Sequence, residues 1–325
     1  MKTAHDILTL VNDCLASLPY DRQPHSLYEP MEYVLALGGK RIRPVLMLMG
    51  YNLWREAPES ILMPAVGLET YHNYTLLHDD LMDHADVRRG HETVHRRWDV
   101  NKAILSGDSM LVLAYQRMQQ VPADKLPAVL DLFTETALEI GEGQEYDMTF
   151  ETRNDVTEEE YIEMIRLKTS VLLACALKMG ALLADAPQAD ADRLYRLGEQ
   201  IGLAFQLQDD VLDCYSDVSV FGKVTGGDIV ENKKTMMLLK ALELASSADR
   251  ERLETLFSGA VDVEPQEKVR EVKALYDKLH VKDEVERMMA GYFQRAHTCL
   301  EKVRLPEERK VHLRRYADLL SGRDK

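Results

Sequence analysis

The sequence reads H-D-D-L-M-D at His78–Asp83 and, about 130 positions later, F-Q-L-Q-D-D-V-L-D at Phe205–Asp213. Both stretches contain the pattern Asp-Asp-x-x-Asp, and both lie in segments of helical character, His78–Arg89 and Phe205–Asp217. If one site uses both copies, the helices that carry them must face each other. This arrangement favours one helical bundle with its site in the core between facing helices.

The spacing within each copy places carboxylates in pairs. Asp79 with Asp83, and Asp209 with Asp213, share one helix face because residues i and i+4 are neighbours there. Such carboxylates repel each other unless cations neutralise them. Mg²⁺ suits these oxygen ligands, since it takes one or two carboxylates and completes its shell with water and substrate phosphates. A solvated acidic face is the alternative for a single copy, and two copies beside apolar positions argue against it.

The composition limits the partners of the chain. Its 325 residues contain 40 Lys and Arg against 55 Asp and Glu, a net charge of −15. This charge disfavours binding to nucleic acids and anionic membranes, so a phosphate-bearing ligand must meet local basic clusters and metal ions. Cys14, Cys175, Cys214 and Cys299 form no C-x-x-C motif, which indicates a reducing cytoplasm without disulfides or structural zinc.

Long segments with helical periodicity dominate the sequence, and strand patterns are almost absent. Thr157–Glu160 forms a T-x-x-E capping box, and no Gly/Ser linker marks a domain boundary. The longest apolar stretch, Ser170–Ala184, contains Lys178 and falls short of the roughly 20 residues of a membrane span. We therefore predict an all-α fold: one domain, residues 1–325, forming a single large bundle of about ten or more mostly antiparallel helices around a central cavity, without a membrane span.

Three basic clusters accompany the acid motifs. G-G-K-R-I-R-P at Gly38–Pro44 places three cations before a helix start, where glycines and the helix N-terminus suit a diphosphate. A solvated basic loop is the alternative for this cluster taken alone. Arg88–His91 follows the first acid motif, and suits either salt bridges or bidentate anion binding. Lys223 and Lys233-Lys234 flank Gly226–Asp228, in a segment that resembles a loop closing over a site.

Several polar residues interrupt apolar helical stretches. His72 lies two helical turns before Asp79, where both a buried core histidine and a ligand remain open interpretations. Lys168-Thr169 lies in the otherwise largely apolar helix Leu167–Leu177, where a lysine is costly unless it meets an anion. Two further polar residues of this kind are Gln144 and Asp147. Unlike polar groups that point into one core are more typical of an enzyme than of a structural protein.

In their order along the chain, these motifs resemble those of the trans-isoprenyl diphosphate synthases, which include the farnesyl and geranylgeranyl diphosphate synthases. The resemblance covers about residues 30–240 and includes Gly222-Lys223 and Asp228 with Lys233. It implies the isoprenoid synthase fold, a homodimer and a Mg²⁺-dependent prenyltransferase. That enzyme would condense isopentenyl diphosphate with an allylic diphosphate by ionisation, condensation and elimination, giving C15–C20 all-trans products.

The resemblance also implies a role for each motif. Three Mg²⁺ ions per active site would be held by Asp79, Asp80, Asp83, Asp209, Asp210 and Asp213. The allylic diphosphate would be contacted by Arg88, Lys168, Lys223 and Lys233. Isopentenyl diphosphate would be bound by Lys40, Arg43, His72 and Arg89, with Arg41 among the substrate-binding residues. The oxygens of Thr169 and Gln206 would stabilise the allylic cation.

The residues that precede the first acid motif provide a prediction of product length. Tyr74 lies five positions before Asp79, about 7.5 Å along a helix, and Tyr71 lies about one turn further. One aromatic side chain at the first position, beside the small Thr75, is compatible with a stop at C15 or C20, and aromatic side chains at both positions favour C15 more strongly. An ordinary core aromatic at position 74 is the alternative. The compact D-D-x-x-D, without two extra residues, is found in families of both product lengths.

Two other functions share parts of this pattern. A class I terpene cyclase uses the same bundle and ionises the same substrates, but it binds no second diphosphate and normally lacks the second D-D-x-x-D and the G-G-K-R-I-R-P cluster. A non-catalytic subunit of a prenyl synthase usually has broken acid motifs. Both motifs and the basic cluster are intact here, so the sequence favours chain elongation.

Overall fold

Helices make up nearly all of the regular structure in the computed structural model, which describes residues 1–215, 226–258 and 263–322. The helices before the middle of the chain are α1 (Ala4–Ala16), α2 (His25–Ala36), α3 (Ile42–Asn52), α4 (Leu62–Met82), α5 (Val94–Arg97), α6 (Val100–Met118), α7 (Leu126–Thr152) and α8 (Glu158–Ile165). Those that follow are α9 (Val171–Leu183), α10 (Gln188–Tyr215), α11 (Gly227–Val230), α12 (Met236–Leu244), α13 (Ser247–Phe257), α14 (Pro265–Lys278), α15 (Val281–Glu301) and α16 (Glu307–Ser321). The all-α prediction is confirmed.

Three shorter features accompany the α-helices, the first of which is a 3-10 helical turn, Pro58–Ile61, directly before α4. A two-stranded antiparallel hairpin, β1 (Val87–Arg88) and β2 (His91–Glu92), follows α4. A five-residue π-helical segment, Arg166–Ser170, joins α8 to α9. In the part of the chain that the structure describes, no helix is both long enough and apolar enough to cross a bilayer.

The chain divides into two compact units. Unit 1 comprises Met1–Thr134, Leu173–Tyr195 and Leu300–Tyr316. Unit 2 comprises Glu135–Leu172, Arg196–Cys299 and Ala317–Lys325. The first acid motif lies in unit 1 and the second in unit 2. The single domain and the central cavity predicted from the sequence stay predictions.

Helix α4 is the central element of unit 1. It packs mainly against α6 and also against α3, and both apolar residues such as Leu68 and polar residues such as Thr70 are fully buried along it. The Arg117 side chain of α6 satisfies buried hydroxyl groups by hydrogen bonding to Thr70 and, at 2.9 Å, to Tyr20. A helix enclosed on so many sides is a rigid support for the acid motif at its C-terminal end.

The helix predicted for His78–Arg89 ends earlier than expected. α4 ends at Met82, and Asp83 is its C-cap, with the backbone N–H of Asp83 still donating to the Asp79 carbonyl at 2.9 Å. The pairing of Asp79 with Asp83 one turn apart is therefore kept. Arg89 and Gly90, with φ of 53° and 78°, then form the tight turn of the hairpin, because two residues with positive φ match the twist of paired strands.

Unit 2 is built around a separate apolar core. Leu207 of α10, Met236 of α12 and Tyr276 of α14 are almost completely buried within it. The predicted capping box is confirmed, since Thr157 and Glu160 exchange both hydrogen bonds at the start of α8. α10 carries the second acid motif to Tyr215, and the last two residues of the predicted stretch, 216 and 217, lie outside the described residues.

Candidate active site

The first acid motif has one carboxylate that is fixed by the protein. Asp80 is 6% exposed, and the Arg88 side chain donates to its Oδ1 through Nε at 2.6 Å. The Arg88 Nη2 atom also lies 3.5 Å from Asp79 Oδ2. Burial raises the pKa of Asp80, and the Arg88 charge opposes that rise. Asp83 is exposed and Asp79 half-buried, so the pair at i and i+4 is the more accessible part of the motif.

Arg43, His72 and Arg89, which were assigned to isopentenyl diphosphate from the sequence, lie near one another in unit 1. The Nη1 atom of Arg43 lies 2.9 Å from Nε2 of His72. Because a guanidinium only donates, the imidazole must accept, so His72 is neutral. Burial first and then the charges of Arg43, Arg89, Arg88 and Arg41 hold the pKa of His72 well below its usual value.

Arg89 joins this cluster from the hairpin turn. Its guanidinium donates to the Gly38 carbonyl and lies so close to Gly39 that a Cβ atom there would be 2.9 Å from Nη2. Gly39 also has a φ of 132°, a backbone conformation that residues with a side chain rarely adopt, so glycine suits this position. Lys40 follows on an exposed position. A cleft of about 290 Å³ beside them is lined by residues that include Asn73, Asp80, Arg88 and Arg89.

Arg41 differs from its neighbours in the same segment. It is 5% exposed, with Nη1 donating to Glu69 at 2.8 Å and Nη2 to the Leu35 carbonyl at 2.5 Å. Its backbone adopts a left-handed conformation, φ 48°, which turns the side chain into the core ahead of α3. Its guanidinium therefore forms a buried ion pair, and its role in substrate binding stays a prediction.

The residues predicted to control product length lie on two different rows of α4. Thr75 and His72 are one and two turns before Asp79, and the Thr75 hydroxyl donates to the His72 carbonyl at 2.8 Å. Tyr74 instead stacks edge-on against His78, with ring centroids 4.9 Å apart, and tilts against Tyr71 at 5.5 Å. The role of all three residues in product length stays a prediction.

The second acid motif, in unit 2, holds its middle carboxylate by a different set of donors. Asp210 is 2% exposed, and its Oδ2 accepts from the Tyr161 hydroxyl at 2.6 Å and from the backbone N–H of Met236 at 3.2 Å. The Gln206 Nε2 atom lies 3.5 Å from Oδ1. Burial raises the pKa of Asp210 well above its usual value, and the hydrogen bonds from Tyr161 and Met236 act against that rise.

The two outer carboxylates of this motif differ in exposure. Asp209 is half-buried, whereas Asp213 is 8% exposed. Asp213 stabilises the start of α11 through two hydrogen bonds. Its Oδ2 atom accepts a hydrogen bond from the Asp228 N–H at 3.2 Å, and its backbone carbonyl accepts one from the Gly226 N–H at 2.7 Å.

The π-helical segment presents Lys168 and Thr169. A Cβ atom on Gly143 of α7 would lie 2.3 Å from the Lys168 nitrogen, so only glycine lets α7 approach this widened turn. Lys168 Nζ lies 2.6 Å from Asp147 Oδ2, and the Thr169 hydroxyl donates to Gln206 Oε1 at 3.2 Å. π-Turns within helices are frequent at functional sites. The sequence predicted an uninterrupted helix here and gave no signal for the π-turn.

A cleft in unit 2 brings most of the predicted catalytic residues together. It has an empty volume of about 620 Å³, part of which is open to solvent, and is lined by residues that include Asp147, Tyr161, Lys168, Thr169, Gln206, Asp210, Asp228, Lys233 and Lys234. Tyr161 had no role in the sequence-based prediction, and Lys234 was named there only as a member of the third basic cluster. The hydroxyl of Tyr161 is recognisable as part of the site only through its contact with Asp210. Lys223 lies outside the described residues.

The acidic residues suit Mg²⁺ by their chemistry. Within residues 1–215, 226–258 and 263–322, no group of three or more His, Cys, Asp or Glu side chains is arranged to hold a metal ion by itself. Mg²⁺ does not require such a group, because water and substrate phosphates supply most of its ligands. Carboxylates in pairs beside basic side chains therefore fit an ion that arrives with a diphosphate.

Curated proteins of known name are similar to this chain in sequence. The geranylgeranyl diphosphate synthase of Methanosarcina mazei is 42% identical over 234 residues, which cover 71% of this chain and 72% of that protein. The geranylgeranyl pyrophosphate synthase of Geoglobus acetivorans is 36% identical over 274 residues, covering 84% and 83%.

Solved structures show the same likeness. A crystal structure of a geranylgeranyl pyrophosphate synthase has a TM-score of 0.94 and 40% identity, and the comparison covers 100% of both chains. The enzyme from Pyrococcus horikoshii Ot3 has a TM-score of 0.91 and 32% identity, covering 99% of this chain and 97% of that chain. Residues 24–279 also match the family described as polyprenyl synthetase. With this fold and these motifs, the chain belongs to the polyprenyl synthetase family, the prenyltransferases also called trans-isoprenyl diphosphate synthases.

Proposed function

We propose that this prenyltransferase condenses isopentenyl diphosphate with an allylic diphosphate and releases a C15–C20 all-trans prenyl diphosphate. Relatives named geranylgeranyl, geranylfarnesyl and farnesyl diphosphate synthase support this substrate class. The observation that carries the proposal is the cleft in unit 2, where lysines for a diphosphate lie beside Thr169 and Gln206, whose oxygens suit a carbocation.

Each substrate is assigned to its own set of cations. The allylic diphosphate is bound by Lys168 and Lys233, together with Arg88 and Lys223. Isopentenyl diphosphate is bound by the unit 1 cluster of Lys40, Arg43, His72 and Arg89. The contacts between Arg43 and His72 and between Arg89 and the Gly38–Gly39 segment support this second assignment.

Mg²⁺ is assigned to the acid motifs, three ions per active site. The residues that would hold these ions for one allylic diphosphate are drawn from Asp79, Asp80, Asp83, Asp209, Asp210 and Asp213. When bound, Mg²⁺ neutralises the charge that develops on the departing diphosphate and so makes it a good leaving group.

The side chains of the unit 2 cleft then have distinct tasks. Lys168 and Lys233 hold the diphosphate while its bond to the allylic carbon breaks, which leaves an allylic cation. The oxygens of Thr169 and Gln206, 3.2 Å apart, stabilise that cation electrostatically. Phe150, Met164 and Ile165 give the cleft apolar walls that keep water from capturing the cation.

Condensation needs no protein nucleophile. The double bond of isopentenyl diphosphate attacks the cation and forms the new carbon–carbon bond. The resulting tertiary cation loses a proton to the released diphosphate, which restores a double bond and gives the elongated product. The basic cluster of unit 1 is what favours elongation over terpene cyclisation, since a cyclase binds only one diphosphate.

The same proposal includes a cytoplasmic homodimer. No disulfide joins the four cysteines, all of which lie in the described residues, as suits a reducing compartment. Ile104, Leu105 and Val112 expose 41%, 54% and 59% of their surface along α6, which gives a second copy of this chain an apolar face to cover.

One experiment tests the proposed reaction. The purified protein is incubated with Mg²⁺, isopentenyl diphosphate and dimethylallyl, geranyl or farnesyl diphosphate in turn, and the products are separated by chain length. We expect C15–C20 prenyl diphosphates, loss of activity with EDTA and recovery with added Mg²⁺. A cyclic hydrocarbon formed without consumption of isopentenyl diphosphate would overturn the assignment in favour of a cyclase.

A further inference from the structure

We propose that, within the set of aspartates assigned to Mg²⁺ above, Asp210 is instead a positioning residue. It fixes the side-chain amide of Gln206 so that the amide oxygen faces the allylic cation, and it is not a metal ligand. The inference rests on the proposed function, because it specifies how the same site stabilises its cation. It assigns different roles to adjacent residues of one acid motif, Asp209 and Asp210.

The carboxylate of Asp210 is already occupied by protein donors. Its Oδ2 accepts two hydrogen bonds, from the Tyr161 hydroxyl at 2.6 Å and from the Met236 N–H at 3.2 Å. A carboxylate oxygen offers about two lone-pair positions, so Oδ2 has none left for a metal ion. The residue is 2% exposed, whereas Asp209 is half-buried and more accessible to an ion that arrives with substrate.

The remaining oxygen of Asp210 determines which way Gln206 points. The Gln206 amide has an acceptor end and a donor end, and Asp210 Oδ1 lies 3.5 Å from its Nε2. In the structure this NH₂ group faces Asp210 and donates to its carboxylate. Gln206 Oε1 then faces Thr169, whose hydroxyl donates to it at 3.2 Å.

This orientation matters because both Thr169 and Gln206 line the cleft. An amide oxygen there attracts a carbocation, whereas an amide NH₂ carries positive hydrogen atoms and repels it. Preorganised dipoles are among the largest contributions to catalysis, since they need not reorganise when the charge develops. Tyr161 assists in the same way, as its hydroxyl fixes the Asp210 carboxylate from α8.

Asp210→Asn separates this role from metal binding. The asparagine introduced by this change can accept from Tyr161 and Met236 only by turning its own NH₂ group toward Gln206. Gln206 must then rotate and present its NH₂ group to Thr169 and the cleft. We expect kcat to fall on the order of 10²-fold, while the KM for isopentenyl diphosphate and the Mg²⁺ concentration for half-maximal activity change less than about two-fold.

A charge exchange supplies the matched control. In Gln206→Glu/Asp210→Asn, the introduced amide donates to the introduced carboxylate, which again offers only oxygen atoms to Thr169 and the cleft. We expect this double variant to recover at least about ten-fold of the activity lost in Asp210→Asn. Tyr161→Phe, which removes one donor and keeps the ring, should lower kcat by several-fold without changing the Mg²⁺ dependence.

The outcomes separate the inference from the proposed function. If wild-type protein forms no prenyl diphosphate, the proposed function fails. If wild-type protein is active, a shifted Mg²⁺ dependence in Asp210→Asn or no recovery in the folded double variant overturns the positioning role. Circular dichroism confirms folding for each variant. Should Asp210→Asn not fold, Tyr161→Phe decides alone: reduced kcat at unchanged Mg²⁺ dependence supports the inference, and a shifted dependence overturns it.

Discussion

The two acid motifs have the same pattern but different surroundings. At the end of α4, the middle residue Asp80 is held by the charged side chain of Arg88, and Asp83 caps the helix in an exposed position. Within α10, the middle residue Asp210 is held by a hydroxyl, a backbone N–H and an amide, and the motif continues in helix to Tyr215. A shared pattern therefore does not imply a shared role for each aspartate.

The comparison also shows what the motifs have in common. In both, the middle aspartate is nearly buried and bound by the protein, whereas the first, Asp79 or Asp209, is only half-buried. The first aspartates are accordingly the ones we expect to act most directly on Mg²⁺. The difference lies in the partner of the middle residue, which is a cation in unit 1 and neutral donors in unit 2.

The largest effect is expected from the two first aspartates. Asp79→Asn and Asp209→Asn should each lower kcat at least about 10²-fold while the fold remains intact, because each removes charge and no packing. If both act on the same diphosphate, the double variant should lose less than the product of the single losses. Steady-state kinetics measure kcat for each variant. Near-normal turnover of Asp209→Asn with a normal Mg²⁺ requirement would contradict the expectation that the first aspartate of each motif acts on Mg²⁺.

Variants of the two basic clusters should change the KM values of different substrates. Lys40→Ala and Arg43→Ala should raise the KM for isopentenyl diphosphate by about ten-fold or more, as expected for loss of one charged contact, and change the allylic KM much less. Lys168→Ala is the matched variant in unit 2 and should show the opposite preference. Equal increases of both KM values in Arg43→Ala would contradict the assignment of two cation sets.

Stability distinguishes the partners of the two middle aspartates. Arg88→Met leaves the Asp80 carboxylate nearly buried without its cation, and should lower the free energy of unfolding by about 2–3 kcal/mol. Tyr161→Phe removes only one of the donors to Asp210 and should cost about 1 kcal/mol. Urea denaturation measures both.

The control for Arg88 is Asp80→Asn in the Arg88→Met background, which removes the unpaired charge and should restore part of the lost stability. A loss in Tyr161→Phe as large as that in Arg88→Met would show that the charge of the partner does not set the difference between the motifs.

The neutral His72 in the unit 1 cluster gives a smaller, pH-dependent effect. Its pKa in the folded protein lies well below the value of about 6.5 expected in the unfolded chain. Between these two values only the unfolded chain takes up the proton, so stability falls as the pH drops below about 6.5. From pH 7.5 to 5.5, wild-type protein should lose about 1 kcal/mol more than His72→Gln in urea denaturation. Equal losses would show that the imidazole is not shielded from protonation.

The sequence predicted what depends on local spacing, and it missed what depends on long-range contacts. The helical fold, the capping box at Thr157 and the pairing of Asp79 with Asp83 follow from residues within one or two turns. Arg41 and Arg43 are two positions apart, yet one forms a buried ion pair with Glu69 and the other contacts His72. That distinction depends on a backbone turn and on partners about 30 residues away, which no local pattern contains.

The last comparison concerns the residues five positions before each motif, Tyr74 on α4 and Ala204 on α10. Only the first has a side chain large enough to block a growing chain, and Tyr74 is half-buried while Ala204 is fully buried. If the product extends along α4, Tyr74→Ala should shift products toward longer chains, with little change in the rate of the first condensation.

Tyr74 stacks on His78, on a different row of the helix from Asp79 and Thr75. Thr75→Phe therefore tests the other row and should shorten products if that row lines the chain. Chromatography of the products decides between the rows: a shift in Tyr74→Ala alone places the stop at the tyrosine, a shift in Thr75→Phe alone places the chain beside Thr75, and no shift in either variant means that α4 does not set product length.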